Sequence, residues 1–288
     1  MILRPNRWQP LAQAHYERAY ALTEPHLQRR RGGEQHPIFD FLYEYYPIRV
    51  SHIRRWHPGI GVDLIDAPEH ASWRYYRKDG DVTSIDVDAY FAKRGKAVDF
   101  IAELLTRTTE NPAHFDCFGL HEWAMVYETG QPRHSLPLRL GVQGTNEVVE
   151  SHSLRCTHYD AFRFFTPPAR PLNFQVLSRQ TQRGCEQQGC LHATMDLYKW
   201  CAKLEPIIPG DLWLDTFELA IDCRVLDMQA SPYDCRKYGF EPISIETPAG
   251  KAEYVRLQRE FANRGMQLRT RMLEVIENAK EMIKARTL

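Results

Sequence analysis

The chain lacks an apolar run of about 18 residues, the length that a membrane-crossing helix needs. Its first residues also lack the apolar core of a secretory signal, so we expect a cytoplasmic protein with no membrane partner. Net charge is absent as well, because 37 basic residues balance 37 acidic ones. This balance argues against a nucleic-acid footprint over the whole domain, although it permits a local basic patch.

Several motifs are absent too. The sequence contains no GxxxxGK[ST], GxGxxG or GxSxG, which disfavours nucleotide-triphosphate hydrolysis and dinucleotide-dependent redox chemistry. The seven cysteines form no CxxC pair. Cys185 and Cys190, followed by His192, lack the second ligand pair of a structural zinc ribbon. We therefore expect most of the cysteines to be buried thiols in a reducing compartment.

The patterning predicts a mostly α-helical single domain with one small β-hairpin. Residues 1–35 form an N-terminal helical arm, and residues 36–288 form the domain. The domain ends in a long amphipathic helix over 248–286, which we expect Gly265 to interrupt. The runs SWRYYRK and DVTSIDV flank an Asp-Gly turn and predict the hairpin over 72–87.

Three blocks between residues 151 and 222 organise the chain, because each is mostly apolar and carries histidine or carboxylate side chains. A buried charge has to be paired, bound to a metal or neutralised. The blocks therefore form either a polar network inside a core or an active site. Their polar residues are His158 and Asp160 in the first block, His192 and Asp196 in the second, and Asp215, Glu218 and Asp222 in the third.

The third block is a predicted helix over 211–228, capped by Asp211, that carries four carboxylates on one face. Asp211, Asp215, Glu218 and Asp222 stand at i, i+4, i+7 and i+11. This acidic stripe either meets a metal, faces solvent or pairs with cations. The candidate cations are Arg155, Arg163, Arg224 and Lys199.

The second block is a predicted helix over 191–204. His192 and Asp196 stand at i and i+4 there, and such a pair either holds a metal ion from one face or forms a structural hydrogen bond. At helical spacing His158 and Asp160 of the first block point apart, so we expect them not to share an ion.

Residues outside the blocks add two possibilities. His121-Glu122 matches half of a His-Glu-x-x-His zinc motif, but Met125 stands where the second histidine would be. The run Arg54-Arg55-Trp56-His57 joins positive charge to an aromatic plane beside a Pro-Gly loop. Such a run either contacts phosphate or forms a solvated turn.

Long segments of the chain resemble bacterial proteins labelled 3-methyladenine DNA glycosylase. They span roughly residues 36 to 262 and include HPIFDFLYEYYPIR, RRWHPG, HFDCFGLHEWAMVY, LRCTHYDAFRFFTPPARPLN, GCLHATMDLYKW, LDMQASPYD and ETPAGKAEYVRLQREFA. The resemblance implies hydrolysis of the N-glycosidic bond of an alkylated purine in DNA, with no cofactor. Such an enzyme needs a pocket for the flipped base, a carboxylate and a positioned water.

Under this resemblance, we expect the catalytic residues among Asp160, Asp196, Asp215 and His158. The substrate-binding candidates are the aromatic residues Trp123, Tyr159 and Trp200, together with Arg54, Arg55, Trp56 and His57.

Two alternatives stand beside the glycosylase. The first is an enzyme that uses a divalent or iron-type metal on a small-molecule substrate. Its ligands would come from His121, Glu122, His192, Glu218 and Asp222. The second is a non-catalytic binding protein whose polar core only fixes the packing. The choice depends on whether the three blocks converge on one pocket.

Overall fold

The computed structural model describes residues 1–287 as a mostly helical domain with a small sheet. The strands are β1 Ile2–Leu3, β2 Asp63–Ile65, β3 Tyr76–Asp79 and β4 Val82–Ile85. The helices are α1 Pro5–Arg31, α2 Phe41–Glu44, α3 Val50–Ile53, α4 Pro68–Ala71, α5 Val87–Glu110, α6 Leu120–Ala124, α7 Gly141–Glu150, α8 Tyr159–Phe162, α9 Gln182–Cys185, α10 Leu191–Met195, α11 Leu197–Leu204, α12 Gly210–Ala230 and α13 Pro248–Thr287. Within residues 1–287, none of these helices has the length and apolar character needed to cross a membrane.

Local signals explain where the long helices begin. Pro5 and Pro248 stand at the first positions of α1 and α13, where a missing N–H costs nothing. Asp86 caps α5, and its carboxylate accepts a hydrogen bond from the Ala89 N–H. The expected cap at Asp211 is wrong, because Pro209 precedes α12 and Asp211 lies in the first turn.

The predicted hairpin is confirmed as β3 and β4, which pair antiparallel around Gly80. Gly80 has a φ of +57°, a conformation that glycine adopts without strain. The sheet is larger than the hairpin, because β2 pairs antiparallel with β4, and β1 pairs parallel with β2. These two added strands have only two and three residues, too few for a periodic signal.

Helix α12 lies at the centre of the domain and packs against α1, α10, α11 and α13. Its residues Leu214, Phe217 and Cys223 are fully buried. The apolar faces around the acidic stripe predict this burial, since a helix that is apolar on most sides belongs in a core.

The two predicted segments at residues 191–204 and 248–286 differ from expectation in opposite ways. The first is two helices, because α10 ends at Met195 and α11 begins at Leu197. The second is continuous, so the interruption expected at Gly265 is wrong. A Cβ atom at Gly265 would lie 2.8 Å from Thr194 Cγ2, so this glycine permits close packing of α13 on α10.

Candidate functional site

A cleft of about 770 Å³ opens between α5, α11 and the segment that joins α2 to α3. Positive side chains outnumber carboxylates in its lining, and aromatic rings form part of its walls. We call it the cationic cleft. Its cations are Arg49, Arg163, Arg179, Lys199 and Lys203, its carboxylates are Asp160 and Glu205, and its aromatic residues are Tyr45, Tyr46, Phe100, Trp200 and Trp213.

Lys199 bridges two of the predicted catalytic carboxylates at the floor of the cleft. Its Nζ donates to Asp160 Oδ2 at 3.3 Å and also donates to Asp196. Tyr46 Oη donates to the other oxygen of Asp196 at 2.7 Å. The Asp196 side chain is 1% exposed, whereas that of Asp160 is 13% exposed. Of these two carboxylates, Asp160 therefore faces the cleft, whereas Asp196 is buried beneath it and contacts it through Lys199.

The charges on this floor reinforce each other. Burial raises the pKa of Asp196, but Lys199 and His158 together lower it by more, so the net shift is downward. Burial lowers the pKa of Lys199, but Asp196 and Asp160 raise it more, so it stays above 10.5. At neutral pH the pair is a carboxylate beside an ammonium ion. Lys199 is therefore a cation and a poor nucleophile.

His158 stands behind the cleft floor and contacts a carboxylate on each side. Its Nε2 lies 3.5 Å from Asp196 Oδ2, and its Nδ1 lies 3.2 Å from Glu186 Oε1. The expectation that the His158 and Asp160 side chains point apart is wrong, because ligand atoms of His158, Asp160 and Asp196 lie within 4.8 Å of one another. His158 has extended backbone before α8 begins, so helical spacing does not separate its side chain from Asp160.

A second polar cluster lies deeper, where α6, α10 and α12 meet. His121 Nε2 donates to Asp227 Oδ1 at 2.7 Å, and His192 Nε2 lies 3.9 Å from Asp227 Oδ2. The His121 and His192 ring centroids are 4.4 Å apart, and those of His158 and His192 are 5.4 Å apart. The three histidines from separate parts of the chain therefore converge.

Arg224 balances the charge of this cluster. Its Nη1 donates to Asp227 Oδ2 at 2.8 Å and to Glu122 Oε1 at 3.1 Å, and its side chain is fully buried. Burial raises the pKa of Asp227, but His121 and His192 lower it more, so it falls well below the ordinary range. Burial and the neighbouring His121 lower the pKa of His192 well below 6.5, which leaves this imidazole neutral.

A small cavity of about 10 Å³ adjoins the cluster. We call it the histidine cavity. Cys117 Sγ lies 3.5 Å from His121 Nδ1 at its edge. Burial raises the pKa of Cys190, another lining residue, to about 12, so this thiol is protonated. The cavity is lined by the side chains of Cys117, His121, Cys156, Thr157, His158, Gln187, Cys190, Leu191, His192, Tyr254 and Gln258.

The acidic stripe of α12 lies elsewhere and is paired with arginines. Asp215 contacts Arg18 and Arg271, each through an oxygen–nitrogen distance below 3 Å. Glu218 pairs with Arg18 at 2.8 Å. The remaining stripe pairs are Asp211 with Arg271 and Asp222 with Arg264. The stripe is an ion-pair network, but its partners come from α1 and α13 and are not the cations that we expected.

The basic-aromatic run is also already engaged. Arg54 donates to Glu24 and Thr23, and the Arg55 guanidinium lies over the Trp73 ring. The run's other two residues are held as well: Trp56 stacks on Trp8, and His57 contacts Tyr76 and Glu205. Arg54, Arg55 and Trp56 line a separate cleft, so the structure does not bring this basic-aromatic run together with Asp160.

The aromatic candidates have different surroundings. Trp123 is fully buried, and its Nε1 donates to the carbonyl of Ala230, so it is a core residue. Trp200 lines the cationic cleft. The Tyr159 ring is covered by Arg179, one of the cations of that cleft.

Sequence reasoning missed Asp227 and expected Arg224 to pair with the acidic stripe, although a signal for a buried network at both positions exists. They continue the buried α12 face of Phe217 and Ala220 at i+7 and i+10 from Phe217. Charged residues at core positions of an apolar helix indicate a buried network. Glu186 has no such signal, because it lies in a loop directly after the four-residue helix α9.

Comparison of the chain with protein-family models, curated proteins and solved structures gives no match in any of the three.

Proposed function

We propose that the chain is a DNA glycosylase that hydrolyses the N-glycosidic bond of alkylated purines in the cationic cleft. The observation that carries this proposal is the convergence of Asp160, several cations and several aromatic side chains in one cleft. The sequence resemblance supplies the reaction class, and the cleft supplies groups that suit each part of a flipped nucleotide.

The size and walls of the cleft suit a flipped base. A volume of about 770 Å³ lies in the range of small-molecule sites. Enzymes that act on a base hold it outside the helix by stacking and by hydrogen bonds to its edge. Tyr45, which is partly exposed, provides a stacking surface. Trp200 is buried in the wall, and Lys199 lies 4.3 Å from its ring centroid. A cation close to an aromatic face orients both groups.

The charge of the cleft suits the phosphates that flank a flipped nucleotide. Arg163 and Arg179 approach Asp160 at 3.5 and 3.7 Å, and their side chains are 44% and 64% exposed. Exposed guanidinium groups can therefore reach a DNA backbone without crossing the protein surface. A local excess of positive charge in the cleft is compatible with the zero net charge of the chain.

Asp160 has the position for the chemical step. An alkylated purine carries positive charge, so the electron pair of the breaking bond to the sugar carbon leaves with a base that becomes neutral. The Asp160 carboxylate stabilises positive charge on the sugar and accepts a proton from the attacking water, whose oxygen forms the new bond. Because Lys199 is held as a cation, we propose direct attack by water and no covalent lysine intermediate.

Release of free 3-methyladenine from methylated DNA tests this function. The wild-type chain should release the base, and Asp160→Asn should lower the rate about 100-fold or more. Asp211→Asn is the matched control, because Asp211 is 65% exposed and pairs with Arg271 on the acidic stripe. The control should keep the wild-type rate.

Two results would contradict the proposal. One is a wild-type chain that releases no base and binds methylated DNA no better than unmodified DNA. The other is an Asp160→Asn variant that folds normally and keeps the full rate.

A further inference from the structure

We propose that His121, His192 and Asp227 bind one divalent transition-metal ion of the zinc or iron(II) class beside the histidine cavity. This site lies behind the cationic cleft and does not use Asp160 or the groups assigned to base release. The inference therefore goes beyond the proposed glycosylase function and stands independently of it.

The spacing of the three residues fits one ion. One ligand atom from each lies within 4.8 Å of the other two. Ligand atoms around a tetrahedral zinc, with bonds of about 2.0–2.1 Å, are about 3.3 Å apart. His121 Nε2 lies 2.7 Å from Asp227 Oδ1, and His192 Nε2 lies 3.9 Å from Oδ2 of the same carboxylate. An ion on Oδ1 therefore needs His121 Nε2 to move away from that oxygen by about half an ångström.

The chemistry of the donors selects the class of metal. Two imidazoles and one carboxylate are ligands that suit zinc, and the same set with open positions suits iron(II). Cys117 contacts Nδ1 of His121 at 3.5 Å, the nitrogen opposite the proposed ligand atom. Contacts on that second nitrogen orient metal-binding histidines.

The histidine cavity gives an ion a place beside its proposed ligands. His121 and His192 both line it. The cavity volume of about 10 Å³ gives room for one ion or water and excludes a substrate.

Arg224 determines which oxygen of Asp227 is free to bind the ion. Its guanidinium occupies Asp227 Oδ2, which leaves Oδ1 as the oxygen for the ion. Oδ1 now accepts the hydrogen bond from His121 Nε2. The ion therefore takes the place of that hydrogen, and the proton goes to solvent. Because Arg224 also binds Glu122, it stays paired when the ion shares the charge of Asp227.

The ion would act as a structural cross-link. His121 lies on α6, His192 on α10 and Asp227 on α12, so one ion joins three elements that are distant in sequence. A ligand that binds only the folded state stabilises it by mass action. Metal binding should therefore be visible as a change in thermal stability, without any measurement of activity.

The test uses the full chain, stripped with a chelator and then titrated with Zn²⁺ and Co²⁺. We expect about one equivalent to bind and Tm to rise by about 5–10 °C in excess metal. His121→Ala and His192→Ala should each weaken binding more than about 100-fold, beyond the effect of second-sphere changes. The control is His152→Ala, because His152 Nδ1 contacts only its local turn at Ser151 and Val148.

Binding of less than a tenth of an equivalent in excess metal would overturn the proposal, and so would unchanged affinity in the two ligand variants. If a variant fails to fold, crystals of the wild type grown with Zn²⁺ decide the question through anomalous scattering. A peak next to His121, His192 and Asp227 supports the site. A peak only elsewhere, or no peak, contradicts it.

Discussion

Replacement of Lys199 by methionine probes the charge arrangement beneath the cationic cleft. Methionine has nearly the same length as lysine but carries no charge. The change leaves Asp196, which is 1% exposed, with Tyr46 and His158 as its remaining contacts. Asp196 would then be a buried carboxylate that has lost its closest cation.

The burial of Asp196 determines how much stability the Lys199→Met variant should lose. Removal of one partner from a buried ion pair costs about 3–5 kcal/mol. Lys199 is 15% exposed, and Tyr46 still donates a hydrogen bond to Asp196, so we expect a loss of about 2–3 kcal/mol. Asp196→Asn should cost about 1–2 kcal/mol, because Lys199 keeps Asp160 as a partner. The double variant leaves no unpaired buried charge, so the coupling energy should be about 2 kcal/mol.

The pH dependence of the Lys199→Met effect provides a further check. The pKa of Asp196 is depressed in the folded chain, so its contribution to stability is present above the unfolded value of about 3.9. That contribution is lost as pH falls through the folded pKa. Without Lys199, burial is the largest influence and raises the pKa of Asp196. Protonation then relieves the unpaired charge, so the loss should be smaller at pH 5 than at pH 7.5.

Urea unfolding of the wild type, both single variants and the double variant measures the coupling. The exposed pair Arg264–Asp222, whose side chains are 42% and 45% exposed, is the control cycle and should give less than about 1 kcal/mol. The buried-pair interpretation is refuted if the stability losses of the two single variants add up to the loss of the double variant within about 0.5 kcal/mol. A loss that grows as pH falls would refute the sign of the linkage.

Two further predictions concern packing and acid stability. Gly265→Ala should cost about 1–2 kcal/mol in urea unfolding, because the new Cβ would lie 2.8 Å from Thr194 Cγ2, and Thr194→Ala should restore most of the loss. An unchanged midpoint would contradict this close contact. Burial lowers the pKa of His70 to about 4, so the unfolded chain binds a proton first and stability should fall from pH 6.5 to pH 4. His70→Gln should flatten this decline, and an equally steep decline in the variant would show that other groups cause it.

The sequence predicted the helical class, the hairpin and the long C-terminal helix, because each has a periodic or turn signal that depends on nearby residues. It also identified Asp160, Asp196 and His158, whose ligand atoms lie within 4.8 Å of one another. Their partners were harder to predict, since Tyr46 and Asp196 are 150 residues apart in sequence. The stripe of Asp215, Glu218 and Asp222 was grouped correctly on one helix face, but helical spacing cannot tell which arginine will cover it.

The two polar side chains of the second block stand at i and i+4 but have different partners. The Asp196 N–H donates to the His192 carbonyl, so the helical backbone continues between them. His192 faces Asp227, whereas Asp196 holds Lys199 and Tyr46.

The chain of contacts from Lys199 through Asp196 and His158 toward His192 has a thermodynamic consequence. It joins the floor of the cationic cleft to the histidine cavity through neighbouring buried groups. A ligand in the cleft that draws Lys199 away from Asp196 changes the field at His158, and an ion at His192 changes it from the other side. Two sites that act on the same groups are energetically coupled, and the coupling is reciprocal. By whatever factor occupation of the cavity changes affinity in the cleft, occupation of the cleft must change affinity in the cavity by the same factor.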